Sequence, residues 1–314
     1  MKTEQKQIGI SLGDPAGIGS EITFKALNRY SLDEIAMFHV IGTQTGFSAG
    51  REWCEQEKIE KIKKTLIEEP REGFMVGEPS LASGIAQVKT LRESIRLIKE
   101  GVLSGLVTAP IQKQSIRAAG FNFPGHTEFL AHHFGDAPVA MSFLGGTLRT
   151  ALVTTHIPLT TVSNNISIER IVEVTKLAIE AIKNTYPMNT IGVLGLNPHA
   201  GEQGLFGNEE TEIISPAITK LRKMCPDKSF KGPLPPDSAF RAGCDFYIAM
   251  YHDQALIPVK LLDFDKAVNV TLGLPFPRTS PDHGVAYDIA GKGIANEASM
   301  HSAIQICIDL SISH

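Results

Sequence analysis

Short apolar runs alternating with longer amphipathic stretches constrain this chain more than any other feature. Ile8–Leu12, Phe38–Ile41, Gly105–Thr108, Thr150–Thr154, Ile191–Leu196 and Phe246–Met250 are of strand length and largely apolar, as in strands covered on both faces. Between them, Ile85, Val88, Leu91, Ile95 and Ile98 recur at helical spacing and stop at Gly101, a C-terminal glycine signal. A second helix is predicted from Ser167, a good N-cap, with Ile168, Ile171, Val174, Ala178 and Ile182 facing inward. Strands alternating with helices predict an α/β fold of largely parallel sheets with flanking helices. The 314 residues suffice for two domains. Breaks in pattern near Ala118–Phe123 and Asp263–Ala267 suit a chain that leaves a first domain, builds a second and returns. The expected division is 1–122 plus 271–314, with 123–270 between.

The net charge of -4 is small and its signs are interspersed, so nothing favours nucleic acid or an anionic membrane as partner. Cys54, Cys225, Cys244 and Cys307 are far apart in sequence, which argues against a disulfide framework and for reduced thiols in a cytosol. No signal-type or membrane-length apolar run is present. The expectation is a cytoplasmic protein that binds neither nucleic acid nor membrane.

Four histidines stand in glycine- or proline-rich surroundings or at strand ends: His126 in PGHTE, His156 in TTHIPL, His199 in LNPHAGE and His252 in MYHDQ. Three of them follow apolar runs, which places them at the carboxyl ends of strands, where α/β sheets bind ligands. A single histidine is more often an ordinary hydrogen-bonded group. Several converging neutral imidazoles are the usual makings of a divalent-metal site. Three histidines from separate loops would leave a coordination position open for catalysis. Glu202, near His199, and Asp253, next to His252, are carboxylates able to orient imidazoles. His39 lies mid-strand and reads as structural.

Lys113, Lys260 and Arg278 flank proline turns and suit a phosphate or carboxylate, although each alone is more often a solvated surface charge. Asn269, between two valines of an apolar strand, needs a polar partner if buried. The turn Gly13-Asp14-Pro15-Ala16-Gly17-Ile18-Gly19 follows the first strand. It either lets backbone approach a ligand or is a tight structural turn. It is neither a dinucleotide fingerprint nor a P-loop. The segment from Asp282 to Asn296 either closes over an adenosine or marks a helix start.

Together these segments resemble the 4-hydroxythreonine-4-phosphate dehydrogenase family, from about Ile8 to Ser299. The phrases that carry the resemblance are GDPAGIG, TAPI-x-K, FPGHTEF, TTHIPL, GLNPHAGE, GLFGNEE, GPLPPD, MYHDQ and NVTLGLPFPRTSPDHG. The glycine turn and HGVAYDIAGKGIAN are also similar to segments of isopropylmalate and isocitrate dehydrogenases, in which the second segment clasps the adenosine end of NAD. The resemblance implies an isopropylmalate-dehydrogenase-like two-domain fold with its active-site cleft between the domains.

It further implies metal-dependent, NAD- or NADP-linked oxidation of 4-phosphohydroxy-L-threonine at its 3-hydroxyl. The β-keto acid formed would decarboxylate to 3-amino-2-oxopropyl phosphate, a step of pyridoxal 5'-phosphate biosynthesis. The implied metal ligands are His156, His199 and His252, drawn from both subunits of a homodimer. They would hold one divalent ion, zinc by preference, with magnesium or cobalt as alternatives. Substrate contacts map to His126, Thr127, Lys260, Asn269 and Arg278, and catalytic roles to Lys260, Asp253 and Asp237. Cofactor contacts map to Gly13, Asp14, Gly17, Gly284 and Asp288.

Ser20 and Gln112 depart from the commoner family residues without removing an assigned group. The lettering around Glu202–Glu210 and Leu234–Asp237 also resembles a paralogous branch that oxidises 4-phospho-D-threonate and 4-phospho-D-erythronate. A metal-dependent phosphoester hydrolase is the alternative of a different class; it would use the same histidines but need no adenosine clasp.

Overall fold

The computed structural model describes residues 7–123 and 125–312. Eleven strands occur among them: β1 (Gln7–Ser11), β2 (Phe38–Thr43), β3 (Lys63–Ile67), β4 (Leu103–Thr108), β5 (Ala140–Leu144), β6 (Thr150–Leu152), β7 (Thr190–Leu194), β8 (Ser229–Leu234), β9 (Phe246–Ala249), β10 (Val268–Leu272) and β11 (Arg278–Pro281). The protein is therefore of the expected α/β class, with largely parallel pairing and flanking helices. Contacts divide it into two compact units, residues 7–136 with 274–312, and residues 137–273.

In the first unit the strand order is β3-β2-β1-β4-β11, and each neighbouring pair is parallel. β1 and β2 are buried along their whole length, which explains why both read as unbroken apolar runs. β3 ends this order with Lys63, Lys64 and Leu66 exposed, so it carried no apolar signal. The predicted helix spans Leu81–Lys99, its start fixed by Ser80 Oγ accepting from Ser83 N at 3.0 Å. Gly101, at φ 73°, stops it in the left-handed region that glycine adopts without strain.

In the second unit the order is β10-β5-β6-β9-β7-β8. β6, β9, β7 and β8 are mutually parallel, while β5 runs antiparallel to both β6 and β10. Phe143, Leu152, Leu194, Tyr247 and Ala249 from the strands pack with Ala255, Leu256 and Val259 of the helix His252–Asp263. Burial of this kind contributes about 1.5–3 kcal/mol for each large side chain. Parallel pairing of β6, β9 and β7 has a direct consequence: their carboxyl ends leave the sheet on one edge, side by side.

The chain passes between units at Asp136–Ala137 and Gly273–Leu274, later than 122 and 270. The helix His126–His133 stays with the first unit through aromatic packing. Phe129 meets Phe121 at 4.8 Å between ring centroids, and Phe134 meets Phe276 at 5.0 Å.

The second predicted helix spans Ile168–Ile182, and Ser167 Oγ accepts from Arg170 N at 3.1 Å. Ser167→Ala should lower unfolding free energy in urea by about 1 kcal/mol, and Ser167→Gly by only a few tenths.

Candidate active site

The carboxyl edge of β6, β9 and β7 carries the three histidines expected to bind metal. His156 follows β6, His252 opens the helix after β9, and His199 follows β7. Their placement at strand exits is thus as the sequence predicts. The rings of His156 and His252 lie 5.5 Å apart between centroids. They line one depression together with Thr155, Ile157, Leu159, Val162, Tyr251 and Asp253. Asp253 Oδ1 lies 2.7 Å from His252 Nδ1. A carboxylate there fixes the proton on Nδ1 and leaves Nε2 as the nitrogen able to bind a metal. Gln254, whose role the sequence did not reveal, accepts from Met250 N and donates to Gly195 O, both at 2.7 Å. It ties the start of the His252 helix to the end of β7.

His199 does not join that pair within the chain. No group of three His, Cys, Asp or Glu side chains suited to a metal occurs among the described residues. His199 instead opens a left-handed turn. Residues His199, Ala200, Gly201, Glu202 and Gln203 have φ of 52°, 52°, 78°, 42° and 57°. For non-glycine residues that conformation costs about 1–2 kcal/mol each, so surrounding contacts must hold it.

The carboxylate packed against the turn is Glu210, whereas Glu202 lies exposed within the turn itself. Glu210 is 2% exposed. Its Oε1 accepts from Leu196 N and Asn197 N, both at 2.7 Å, and its Oε2 from Asn197 Nδ2 at 3.0 Å. A Cβ on Gly201 would come within 2.6 Å of Glu210 Oε2, which is why glycine stands there.

The remaining expected residues of this unit are dispersed. Lys260 lies further along the His252 helix, with Nζ 5.9 Å from the Phe264 ring centroid. Asn269 is in β10, and its buried Oδ1 has no hydrogen-bond partner among the described residues. Asp237 is exposed beyond β8 and accepts from Ser238 Oγ at 3.4 Å.

The first unit holds an anion-receptive cluster. Arg278 begins β11 opposite Leu106 of β4 and is 3% exposed. Its Nη2 donates to Thr108 Oγ1 at 2.6 Å and to His126 Nδ1 at 3.2 Å. Burial brings the guanidinium down to about 10, so it is still a cation at neutral pH. His126 is held well below its ordinary value of 6.5, first by burial and then by the charges of Arg278 and Lys113. A neutral imidazole that accepts at Nδ1 carries its proton on Nε2. That Nε2 is buried without a hydrogen-bond partner among the described residues. Thr127 follows in the first turn of the same helix. Thr108, the residue that orients Arg278, gave no signal beyond its place at a strand end.

The glycine turn and the 282–296 segment meet in the same unit. Ile18 N donates to Val285 O at 3.0 Å, and Lys25 Nζ donates to Gly293 O and Ala295 O at 2.9 and 3.0 Å. The first glycines serve this packing. A Cβ on Gly13 would be 2.3 Å from Pro110 O, and one on Gly17 2.8 Å from Val285 O. Asp14 is fully buried: Oδ1 accepts from Ala16 N at 2.9 Å and Oδ2 from Tyr287 Oη at 2.6 Å. Burial raises its pKa, against the Tyr287 bond. It fastens the glycine turn to the segment that carries Tyr287. Gly284 and Asp288 are exposed, and a Cβ on Gly284 would meet nothing within 4 Å.

The profile of the family described as pyridoxal phosphate biosynthetic protein PdxA matches residues 18–307. The chain belongs to the PdxA family. A 4-hydroxythreonine-4-phosphate dehydrogenase of Thermosynechococcus vestitus is 41% identical over 95% of this chain and 94% of its own. A protein of the same name from Sulfurihydrogenibium sp. is 40% identical over 96% and 97%. The solved structure of a PdxA-type enzyme from Klebsiella pneumoniae, a 4-hydroxythreonine-4-phosphate dehydrogenase, superposes with TM-score 0.82 at 36% identity, covering 98% of this chain and 99% of that one. A branched-chain phosphotransacylase from Enterococcus faecalis, 11% identical at TM-score 0.60 over 97% and 99%, shares the fold alone.

The depressed His126 pKa gives a signed expectation. The unfolded chain takes up this proton below about 6.5 and the folded one does not, so stability is complete above that pH and falls below it. Against His126→Gln, the native chain should lose up to about 1.4 kcal/mol more for each pH unit below 6.5 in urea titrations.

Proposed function

We propose that this protein oxidises the 3-hydroxyl of 4-phosphohydroxy-L-threonine, in a metal-dependent reaction coupled to NAD or NADP. The β-keto acid formed would lose carbon dioxide to give 3-amino-2-oxopropyl phosphate for pyridoxal 5'-phosphate synthesis. The observation that carries this reading is the pairing of buried Arg278 with His126 in a PdxA-family chain. It offers a cation and a neutral N–H donor, whose Nε2 has no partner among the described residues, to an anionic substrate.

His156 and His252 fit a divalent ion by the chemistry of their donors and by the Asp253 contact that frees one ring nitrogen. His199 would be the third ligand, supplied by a second copy of the chain. Support for a homodimer comes from exposed apolar side chains around these histidines. Leu261 is 83% exposed and Ile257 67% on the His252 helix, and Leu205 beside the His199 turn is 72% exposed. A surface of this kind marks an association site.

A metal held by His156, His252 and a second copy's His199 would supply Lewis-acid polarisation of the substrate hydroxyl, and a bound nicotinamide would supply the hydride acceptor. The chain's own residues do the rest. Arg278, His126 and Thr127 hold the phosphate or carboxylate end and orient the alcohol carbon. Lys260 takes the hydroxyl proton; Asp253 is the weaker choice because its carboxylate already accepts from His252. Asn269 and Asp237 line the substrate. The backbone at Gly13, Gly17 and Gly284 borders the dinucleotide, and Asp288 accepts from ribose hydroxyls, which favours NAD over a 2'-phosphorylated cofactor. No helix among the described residues is long and apolar enough to cross a membrane, and a cytoplasmic location is part of the proposal.

NAD reduction measured with 4-phosphohydroxy-L-threonine, with and without chelator, tests this directly. Turnover should depend on added zinc or cobalt and vanish in His199→Ala with circular dichroism unchanged. Turnover of 4-phospho-D-threonate in its place would move the protein to the paralogous branch. Phosphate release without NAD reduction would make it a hydrolase. Arg278→Met should raise KM at least tenfold, the loss of a charge-assisted contact.

A further inference from the structure

We infer that Glu210 is the positioning residue for His199, acting by locking the left-handed turn 199–203. The inference rests on the reading of His199 as a metal ligand. Three independent features meet at this carboxylate. It is buried, and it accepts from Leu196 N, Asn197 N and Asn197 Nδ2. The turn closes over it, since Gly195 and Gly201 would each bring a Cβ within 3.1 Å or less of its oxygens. It opens a one-turn π-helix, Glu210–Ile214, a distortion often found at functional sites.

The chain geometry gives the carboxylate its purpose. A run of left-handed residues reverts to ordinary backbone unless several contacts hold it at once. The bonds at Leu196 and Asn197 fix the two residues before Pro198, whose ring restricts the backbone into His199. Asn197 Nδ2 also donates to Glu209 Oε2 at 2.7 Å, so both glutamates grip the entry to the turn. Phe206 N donates to Gly201 O at 3.1 Å and closes it from the far side. His199 is itself exposed, with its ring 6.0 Å from that of Phe206 between centroids. Its direction is therefore set by the backbone beneath it.

The test uses the full-length protein stripped of metal and titrated with Co2+, read by its d–d absorption, with no substrate or dinucleotide present. Glu210→Gln should bind Co2+ ten- to a hundred-fold more weakly, with a shifted d–d band, the size of effect expected when a ligand loses its supporting partner. Circular dichroism and Trp53 fluorescence should stay as in the native chain. Asn197→Ala, which keeps the carboxylate but removes one donor, should weaken binding several-fold in the same direction. Native affinity and band position in Glu210→Gln would overturn the inference. If that variant does not fold, native affinity in Asn197→Ala overturns it. His199→Ala separates the two levels: native Co2+ affinity there removes the metal-ligand reading and this inference with it. Loss of affinity there beside unchanged Glu210→Gln removes the inference alone.

Discussion

Parallel hydrogen bonding between β6, β9 and β7 is the constraint on which the candidate metal centre depends. Three neighbouring strands running the same way must release their chains on the same side. His156, His252 and His199 are the residues that the chain places just beyond those exits. Nothing about an isolated histidine would bring it there; the strand order does. The antiparallel excursion through β5 adds strands on one flank without disturbing the three that matter.

The first unit solves a different problem, that of keeping charge out of water. Arg278 is buried at the start of β11, where a guanidinium is costly unless its hydrogens are met. Thr108 and His126 meet some of them, and an imidazole that accepts from Arg278 at Nδ1 carries its proton on the buried Nε2. A buried cation beside an unsatisfied donor is a poor way to stabilise a fold and a good way to receive an anion. The same unit shows the opposite economy at Asp14, where a buried carboxylate is satisfied from within by Ala16 and Tyr287.

Much of this was legible in the sequence because the physics is local. Ser167 and Gly101 mark helix ends by their own chemistry, and β1, β2, β4, β6, β7 and β9 announce themselves by continuous apolar runs. β3 and β8 did not, because strands at the end of an order are half solvated and carry polar residues. The histidine positions could be read from their strand-exit context. The contacts behind the sites could not: Thr108 meets Arg278, Gln254 meets Gly195 and Glu210 meets Leu196 and Asn197 across stretches that no spacing rule links. Membership of the PdxA family follows from matches along nearly the whole chain, which local chemistry alone would not have supplied.

The two terminal strands of these orders have a bearing on how the molecule meets others. β3 offers Lys63 and Lys64 to solvent, and β8 carries Pro233, which lacks a backbone donor. Both are known guards against strand-by-strand growth. With backbone pairing discouraged at each rim, growth strand by strand into a fibre is disfavoured.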